Sequence, residues 1–217
     1  TRASSQPEKI KVLYVIWSLQ MGGAERVVAD TVRKLDRERF EPMVVCLNFK
    51  GLLAEELEKQ GIKVFCVDKK PRLDLGVVGK LAEIMRRERV DIVHTHLWTS
   101  SFWGRLAAIR ARVPVIVVTE HNLDLWRRAW HFLADRILGI WTKHWIFVSD
   151  EVKDFYLKHL SLGPDDYTVV HNGIDTLRYS PDEAVPKSTE PMIVFVGRVK
   201  RYKSIDHLLQ AFKKLLP

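Results

Sequence analysis

"IKVLYVIWSLQMGGAER" (residues 10–26) runs from a strand through a turn into a helix. Residues 10–17 are rich in β-branched and aromatic side chains, which predicts a strand. A helix-forming sequence starts near Ala24, and Gly22 and Gly23 fill the turn before it. Glycines at such a turn let a ligand come close to the backbone, where free N–H groups and the positive end of a helix dipole favour an anion. The dinucleotide fingerprint G-x-G-x-x-G is not met, so a nicotinamide site is not supported. An ordinary strand-to-helix turn reads the same way, and the rest of the chain has to decide.

The same alternation repeats. Strands are expected over 10–17, 42–48, 62–67, 91–96, 114–119, 144–148 and 167–171. Helices are expected near 23–38, 52–60, 74–89, 100–111, 124–142 and 149–160. Runs such as "PVIVV" (114–118) are apolar on consecutive residues, as strands covered on both faces are. The expected fold is therefore α/β, a Rossmann-like doubly wound parallel sheet with helices on both faces. Residues 1–9 are polar, lack the apolar run of a signal peptide, and read as a disordered tail. Residues 10–171 form the first domain, and 172–190, with its prolines and small polar residues, forms a linker. Residues 191–217 restart with one strand and one helix, the first unit of a second domain that this chain does not complete.

With 47% hydrophobic residues among 217, the chain can bury a full core. No run approaches the ~20 apolar residues that span a bilayer. Cys46 and Cys66 both sit in strand-like runs and read as buried free thiols of a reducing, cytoplasmic compartment. The net charge of +8 favours anionic partners: phosphorylated small molecules, acidic lipid or nucleic acid. Nucleic acid is disfavoured, because no recognised binding motif is present.

Several stretches carry candidate chemistry. In "VTEHN" (118–122), His121 ends a strand where open α/β sheets bind ligands, and Asn122 follows it. "DIVHTHLW" (91–98) puts His94 and His96 on one face of a strand, with Trp98 just beyond. No cluster of further ligands accompanies them, so a metal site is not expected. In "VGRVKRYKS" (196–204), Arg198, Lys200, Arg201 and Lys203 surround a helix start, an arrangement suited to a diphosphate. "VVHNGID" (169–175) ends a strand in a turn before the linker. In residues 123–145, Trp126, Trp130, Leu133, Ile137 and Trp141 recur at helical spacing. Two readings stand there: a core-facing helix with a basic solvent face, or an interfacial helix whose cations meet anionic lipid.

In this order the stretches resemble family 4 of the glycosyltransferases, from about residue 10 to the end. "VVHNGIDTLRYSP" (169–181) and "IVFVGRVKRYKSIDHLLQAF" (193–212) are the most specific. The resemblance implies the GT-B architecture, two Rossmann-like domains across a cleft, and sugar transfer from a nucleoside-diphosphate donor with retention. No catalytic metal or other cofactor is implied, the nucleotide-sugar being a substrate. Gly22 and Gly23 match the loop that abuts the donor, and His121 matches the histidine near the reacting centre. Arg198 and Lys203 match the basic pair on the diphosphate. His96, Trp98 and Asn122 fall on the acceptor side. The "GGAER" loop with the basic tryptophan-bearing helix looks like members that act on polysaccharide, lipopolysaccharide or lipid-linked acceptors, with residues 123–145 at an anionic membrane. The family's spaced pair of donor-holding glutamates falls beyond residue 217. The chain is thus expected to be an N-terminal portion that does not turn over alone. The rival reading is a non-catalytic module that binds sugar phosphate or a lipid surface.

Overall fold

The structure, a computed structural model, describes residues 8–71, 73–177, 179–181, 190–197, 199 and 203–215. The chain divides into two compact units, Thr1–Gly173 and Ile174–Pro217.

The first unit is a seven-stranded parallel sheet: β1 (Ile10–Ser18), β2 (Phe40–Phe49), β3 (Lys63–Cys66), β4 (Ile92–His96), β5 (Val115–Glu120), β6 (His144–Phe147) and β7 (Tyr167–Val169). The crossovers carry α1 (Gly23–Lys34), α2 (Leu52–Lys59), α3 (Gly76–Glu88), α4 (Trp98–Ala111), α5 (Ala129–Gly139) and α6 (Asp150–Leu157), and a 3-10 turn at Pro164–Asp166 precedes β7. Strand order is β3-β2-β1-β4-β5-β6-β7, so the winding reverses between β1 and β4. Ligands of such sheets bind at that reversal, outside the carboxyl ends of the strands. The Rossmann-like doubly wound fold expected from the alternation is what the chain forms.

Side-chain alternation sorts the core onto two faces. Leu13, Val15, Met43, Val45 and Val93 meet Val77, Leu81 and Met85 of α3 and Trp103, Ala107 and Ala108 of α4. Val12, Tyr14, Ile16, Val44 and Cys46 meet Val28 and Val32 of α1 and Leu53 and Leu57 of α2. A third cluster joins Val118, Trp145 and Phe147 to Phe132, Val152, Tyr156 and Leu160. Gly104 of α4 lies so close to the sheet that a Cβ would sit 2.8 Å from Thr95 Cγ2 and 3.2 Å from Val15 Cγ1. Three helices end in the same turn. Gly61, Arg89 and Arg112 take φ of 76°, 55° and 60°, and the next residues, Ile62, Val90 and Val113, donate back to Leu57, Met85 and Ala108 carbonyls.

Three expectations change, and one open choice is narrowed. Cys66 is exposed, because β3 is an edge strand; Cys46, its register partner on β2, is buried, and both thiols are free. The helix expected over 124–142 is confined to Ala129–Gly139, since the Asp124 and Arg127 side chains hold the preceding segment as a loop. Its tryptophan stripe does not face the core, as described below. In the second unit, residues 191–196 form no strand: a strand exists only as part of a ladder, and the described residues of that unit supply no partner. The helix there is present as α7 (Ile205–Lys213). Among the described residues no helix is long and apolar enough to cross a membrane.

Candidate active site

The carboxyl ends of three adjacent strands, β1, β4 and β5, bring together most of the residues singled out in the sequence. At the end of β1, Gly22 is the N-cap of α1, with φ −149° and ψ 167°, a backbone any residue adopts. A Cβ on Gly22 would meet only the flexible Glu25 carboxylate, and one on Gly23 would meet nothing within 4 Å. Neither backbone conformation nor packing against the described residues demands glycine at these two positions.

At the ends of β4 and β5, three imidazoles pack with tilted rings beside Tyr14. The His94 and His96 ring centroids are 4.3 Å apart, those of His96 and His121 5.3 Å, and those of Tyr14 and His96 5.8 Å. His94 Nε2 hydrogen-bonds Thr119 Oγ1 at 2.7 Å, and His96 Nδ1 hydrogen-bonds His121 Nε2 at 3.0 Å. Burial, followed by the neighbouring imidazoles, pushes His94 down to about 3 and His96 well below the usual histidine range. Burial takes His121 down to about 4 against the opposing pull of Asp124, and lifts the Tyr14 hydroxyl to about 12. All three rings are neutral at pH 7. They exchange hydrogen bonds rather than attract anions.

Between His96 and Trp98 the chain turns through Leu97 at φ 66°, a left-handed conformation that costs a leucine about 1–3 kcal/mol. The turn sends the chain from β4 into α4 and buries Trp98 against Phe102, Trp126, Trp130 and His131. Four buried polar atoms at this edge lack a hydrogen-bond partner: His96 Nε2, His121 Nδ1, Trp98 Nε1 and Ser100 Oγ. Such atoms are rare in protein interiors, and here they gather where the topology puts a ligand. Asn122, next to His121, is exposed. Lys203 lies exposed just before α7 in the second unit, and Arg198, Lys200 and Arg201 lie outside the described residues. A cavity of about 330 Å³ lined by Asp135, Ile140, Trp145 and Leu160 lies at the opposite end of β6.

Sequence reasoning missed the ionic core behind the edge. Arg127 Nη2 donates to Glu120 at 2.9 and 3.1 Å, its Nε to Asp124 at 3.0 Å, and its Nη1 to Asp135 at 2.9 Å. Arg105 also donates to Asp135, and the Tyr156 hydroxyl donates to Glu120 and Asp124. Burial raises the Glu120 carboxyl to about 7 despite Arg127, with Asp135 and Asp124 adding to the rise. Burial opposes the charge on Arg127, but the surrounding carboxylates outweigh it and raise its pKa. The only signal in the sequence was Glu120 itself, one residue before His121 in "VTEHN".

This core turns α5 and the loop before it inside out. His131 and Asp135 face inward, and Arg127 and Asp124 are buried with them. Trp126 is 58% exposed, Trp130 53%, Leu133 56%, Ile137 51% and Trp141 51%. Arg128, Arg136 and Lys143 are exposed along the same segment, whereas its acidic residues, Asp124 and Asp135, are buried. The surface is thus apolar and cationic.

The family model for Glycosyltransferase Family 4 matches residues 21–178. An Escherichia coli UDP-Gal:alpha-D-GlcNAc-diphosphoundecaprenol alpha-1,3-galactosyltransferase is 30% identical over 123 residues, 54% of this chain and 31% of that protein. The Staphylococcus aureus capsular polysaccharide biosynthesis glycosyltransferase CapH is 32% identical over 105 residues, 48% of this chain and 28% of its own length. Among solved structures, a Rickettsia africae glycosyltransferase superposes with a TM-score of 0.76 at 21% identity, covering 95% of this chain and 57% of that one. HepE of Anabaena, solved in complex with UDP, gives 0.65 at 20% identity, covering 82% and 47%. The chain spans about a third of the length of these curated relatives. With the glycine turn and the histidine edge both inside the matched segment, this chain belongs to glycosyltransferase family 4.

Proposed function

We propose that this chain is the N-terminal, acceptor-holding portion of a retaining glycosyltransferase of the hexosyltransferase type. That enzyme moves a sugar from a nucleoside-diphosphate donor to a polysaccharide, lipopolysaccharide or lipid-linked acceptor. The observation that carries the reading is the meeting of the glycine turn, His96, Trp98 and His121 at the carboxyl ends of three adjacent strands, with four buried polar atoms awaiting partners.

Gly22 and Gly23 leave room for the donor's diphosphate and sugar. His121 meets a hydroxyl of the donor sugar near the reacting carbon, while His96, Trp98 and Asn122 line the acceptor side. The resemblance gives the diphosphate to Arg198 and Lys203, cations suited to the charge that develops on the leaving group. The proposal gives turnover to the full-length enzyme rather than to this chain alone. Two relatives favour the acceptor class by their names: one acts on a diphosphoundecaprenol-linked sugar, the other in capsular polysaccharide synthesis.

The outward stripe of Trp126, Trp130, Leu133, Ile137 and Trp141, flanked by Arg128, Arg136 and Lys143, suits the headgroup layer of an anionic bilayer. The enzyme then works at the cytoplasmic face of a membrane. Flotation with vesicles containing phosphatidylglycerol tests this arm. Equal recovery with neutral and anionic vesicles, or none with either, sinks it.

The reaction itself is tested by thermal-shift titration of this chain and of the full-length protein with UDP-, GDP- and ADP-sugars. A ligand that binds only the folded state raises its apparent stability. Stabilisation of the full-length protein by one donor, and not of this chain, is expected. Indifference of both to every nucleotide-sugar overturns the assignment in favour of a non-catalytic binding module.

A further inference from the structure

The register of the sheet makes neighbours of two histidines. His96 pairs with Thr119 across β4 and β5, and His121 lies two residues beyond Thr119, on the same face. Their rings meet through His96 Nδ1 and His121 Nε2, at 3.0 Å. Each ring then keeps one further nitrogen, His96 Nε2 and His121 Nδ1, and both are buried and without a partner.

A neutral imidazole has one N–H and one bare nitrogen. Two neutral rings joined by one hydrogen bond spend one of each, so one N–H and one bare nitrogen are left over. The geometry allows only two arrangements. If His121 Nε2–H donates, His96 Nδ1 is bare and the proton of His96 sits on Nε2. If His96 Nδ1–H donates, His121 Nε2 is bare and its proton sits on Nδ1. The two rings therefore always hold the same tautomer, both Nε2–H or both Nδ1–H. Opposite tautomers would bring two lone pairs or two protons face to face at 3.0 Å. A positive charge is not accommodated either: His96 is 3% exposed, packed against His94 on one side and His121 on the other.

We propose that His96 is a positioning residue for His121: the pair acts as one unit that always offers a hydroxyl-bearing ligand one N–H and one bare nitrogen, and His96 decides which of them His121 Nδ1 presents. The identity of that ligand, a sugar hydroxyl, rests on the function proposed above; the coupling of the two rings does not. Tyr14 and His94 pack against the pair and hold it in place, His94 being fixed in turn by Thr119. Asp124 is the acidic group that acts on His121. A hydroxyl needs both a donor and an acceptor to be fully satisfied, and a neutral pair supplies both without placing a charge in a buried site.

The test is a long-range ¹H–¹⁵N spectrum of this chain labelled with ¹⁵N-histidine, at pH 7.5. Matching tautomers for His96 and His121 are expected, with a coupling across the shared hydrogen bond. In His96→Leu, His121 should relax to a mixture of tautomers. In His96→Asn, whose amide can replace Nδ1 as donor or acceptor, a single tautomer should return. Opposite tautomers in the unsubstituted chain overturn the proposal. So does a His121 spectrum that is the same in His96→Leu while the His94 signals confirm an intact fold. If His96→Leu does not fold, the spectrum of the unsubstituted chain decides alone. No sugar is needed for any of these spectra, so they stand or fall apart from the nucleotide-sugar titration.

Discussion

Acidification from pH 7 to pH 5 should remove several kcal/mol of stability from the first unit, well before its surface carboxylates titrate. Unfolded histidine takes up a proton near pH 6.5, whereas folded His94 waits until about pH 3, His121 until about pH 4, and His96 until well below its ordinary value. The unfolded chain therefore binds acid first. Stability is full above about pH 6.5 and is lost as the pH falls below it. Linkage puts the loss at roughly 2 kcal/mol per histidine between pH 7 and pH 5, or about 6 kcal/mol for the three. Glu120 works in the other direction. Its folded carboxyl keeps its proton up to about pH 7 and the unfolded one only to about 4.5, so the same descent returns about 2 kcal/mol. The net loss of about 4 kcal/mol is a large share of the ~5–15 kcal/mol that holds a domain together. Urea unfolding followed by tryptophan fluorescence at pH 7, 6 and 5, at constant ionic strength, measures it. With a slope near ~2 kcal/mol/M, the midpoint should fall by about 2 M. His121→Asn should reduce the loss by about 2 kcal/mol. A midpoint that is flat across this range, or that rises on acidification, would refute the neutral-histidine edge.

Other perturbations have equally definite signs. Arg112→Gly relieves a left-handed residue at a helix end and should raise the melting temperature by the equivalent of about 1 kcal/mol, as should Arg89→Gly. Gly104→Ala forces a methyl between Thr95 and Val15 and should cost about 1–3 kcal/mol in urea unfolding. Gly23→Ala meets nothing and should leave stability within about 0.5 kcal/mol, yet abolish the response of the full-length protein to its nucleotide-sugar. Arg127→Met leaves three buried carboxylates without their shared cation and should cost about 3–5 kcal/mol, part of it recovered in Arg127→Met/Glu120→Gln. Leu133→Ser with Ile137→Ser should keep the urea midpoint within about 1 kcal/mol and lose anionic vesicles in flotation.

The sheet was legible because each strand is a short apolar run beside a helix of ordinary length, so local pattern and topology agree. The seven strands of the first unit stand where "YVI", "VVC", "VIVV" and their like placed them. The positions of the glycine turn and the histidines could be read because each follows or ends an apolar strand, which puts it at the carboxyl edge of a parallel sheet. Residues 123–145 left two readings open for a physical reason. Periodicity shows that a helix has an apolar face, not which way that face points. The inward face of α5 is set by the two partners of Asp135, Arg105 on α4 and Arg127 in the loop before the helix, which meet it only in three dimensions. Leu97 gave no warning either, since nothing in "HTHLWT" marks a leucine for a positive φ. Residues 191–196 read as a strand because they are apolar, but a strand also needs a neighbour.

The pairing of β1 with β4 governs how the chain acquires this structure. Every other pair of neighbouring strands is also consecutive in sequence, whereas β1 and β4 meet across 80 residues. Closing that longer loop costs only about 1 kcal/mol more than closing a crossover of ~25 residues, but it must be met before the seam's contacts reward it. The order of events follows: β1–β3 with α1 and α2 can form early, β4–β7 can form apart from them, and their junction comes last. During synthesis the first group emerges while β4 is still inside the ribosome. For that interval β1 shows an unpaired, almost wholly apolar edge, the kind that recruits strands from other chains. Translation speed between residues 67 and 91 therefore bears on yield as much as any side chain in the finished protein.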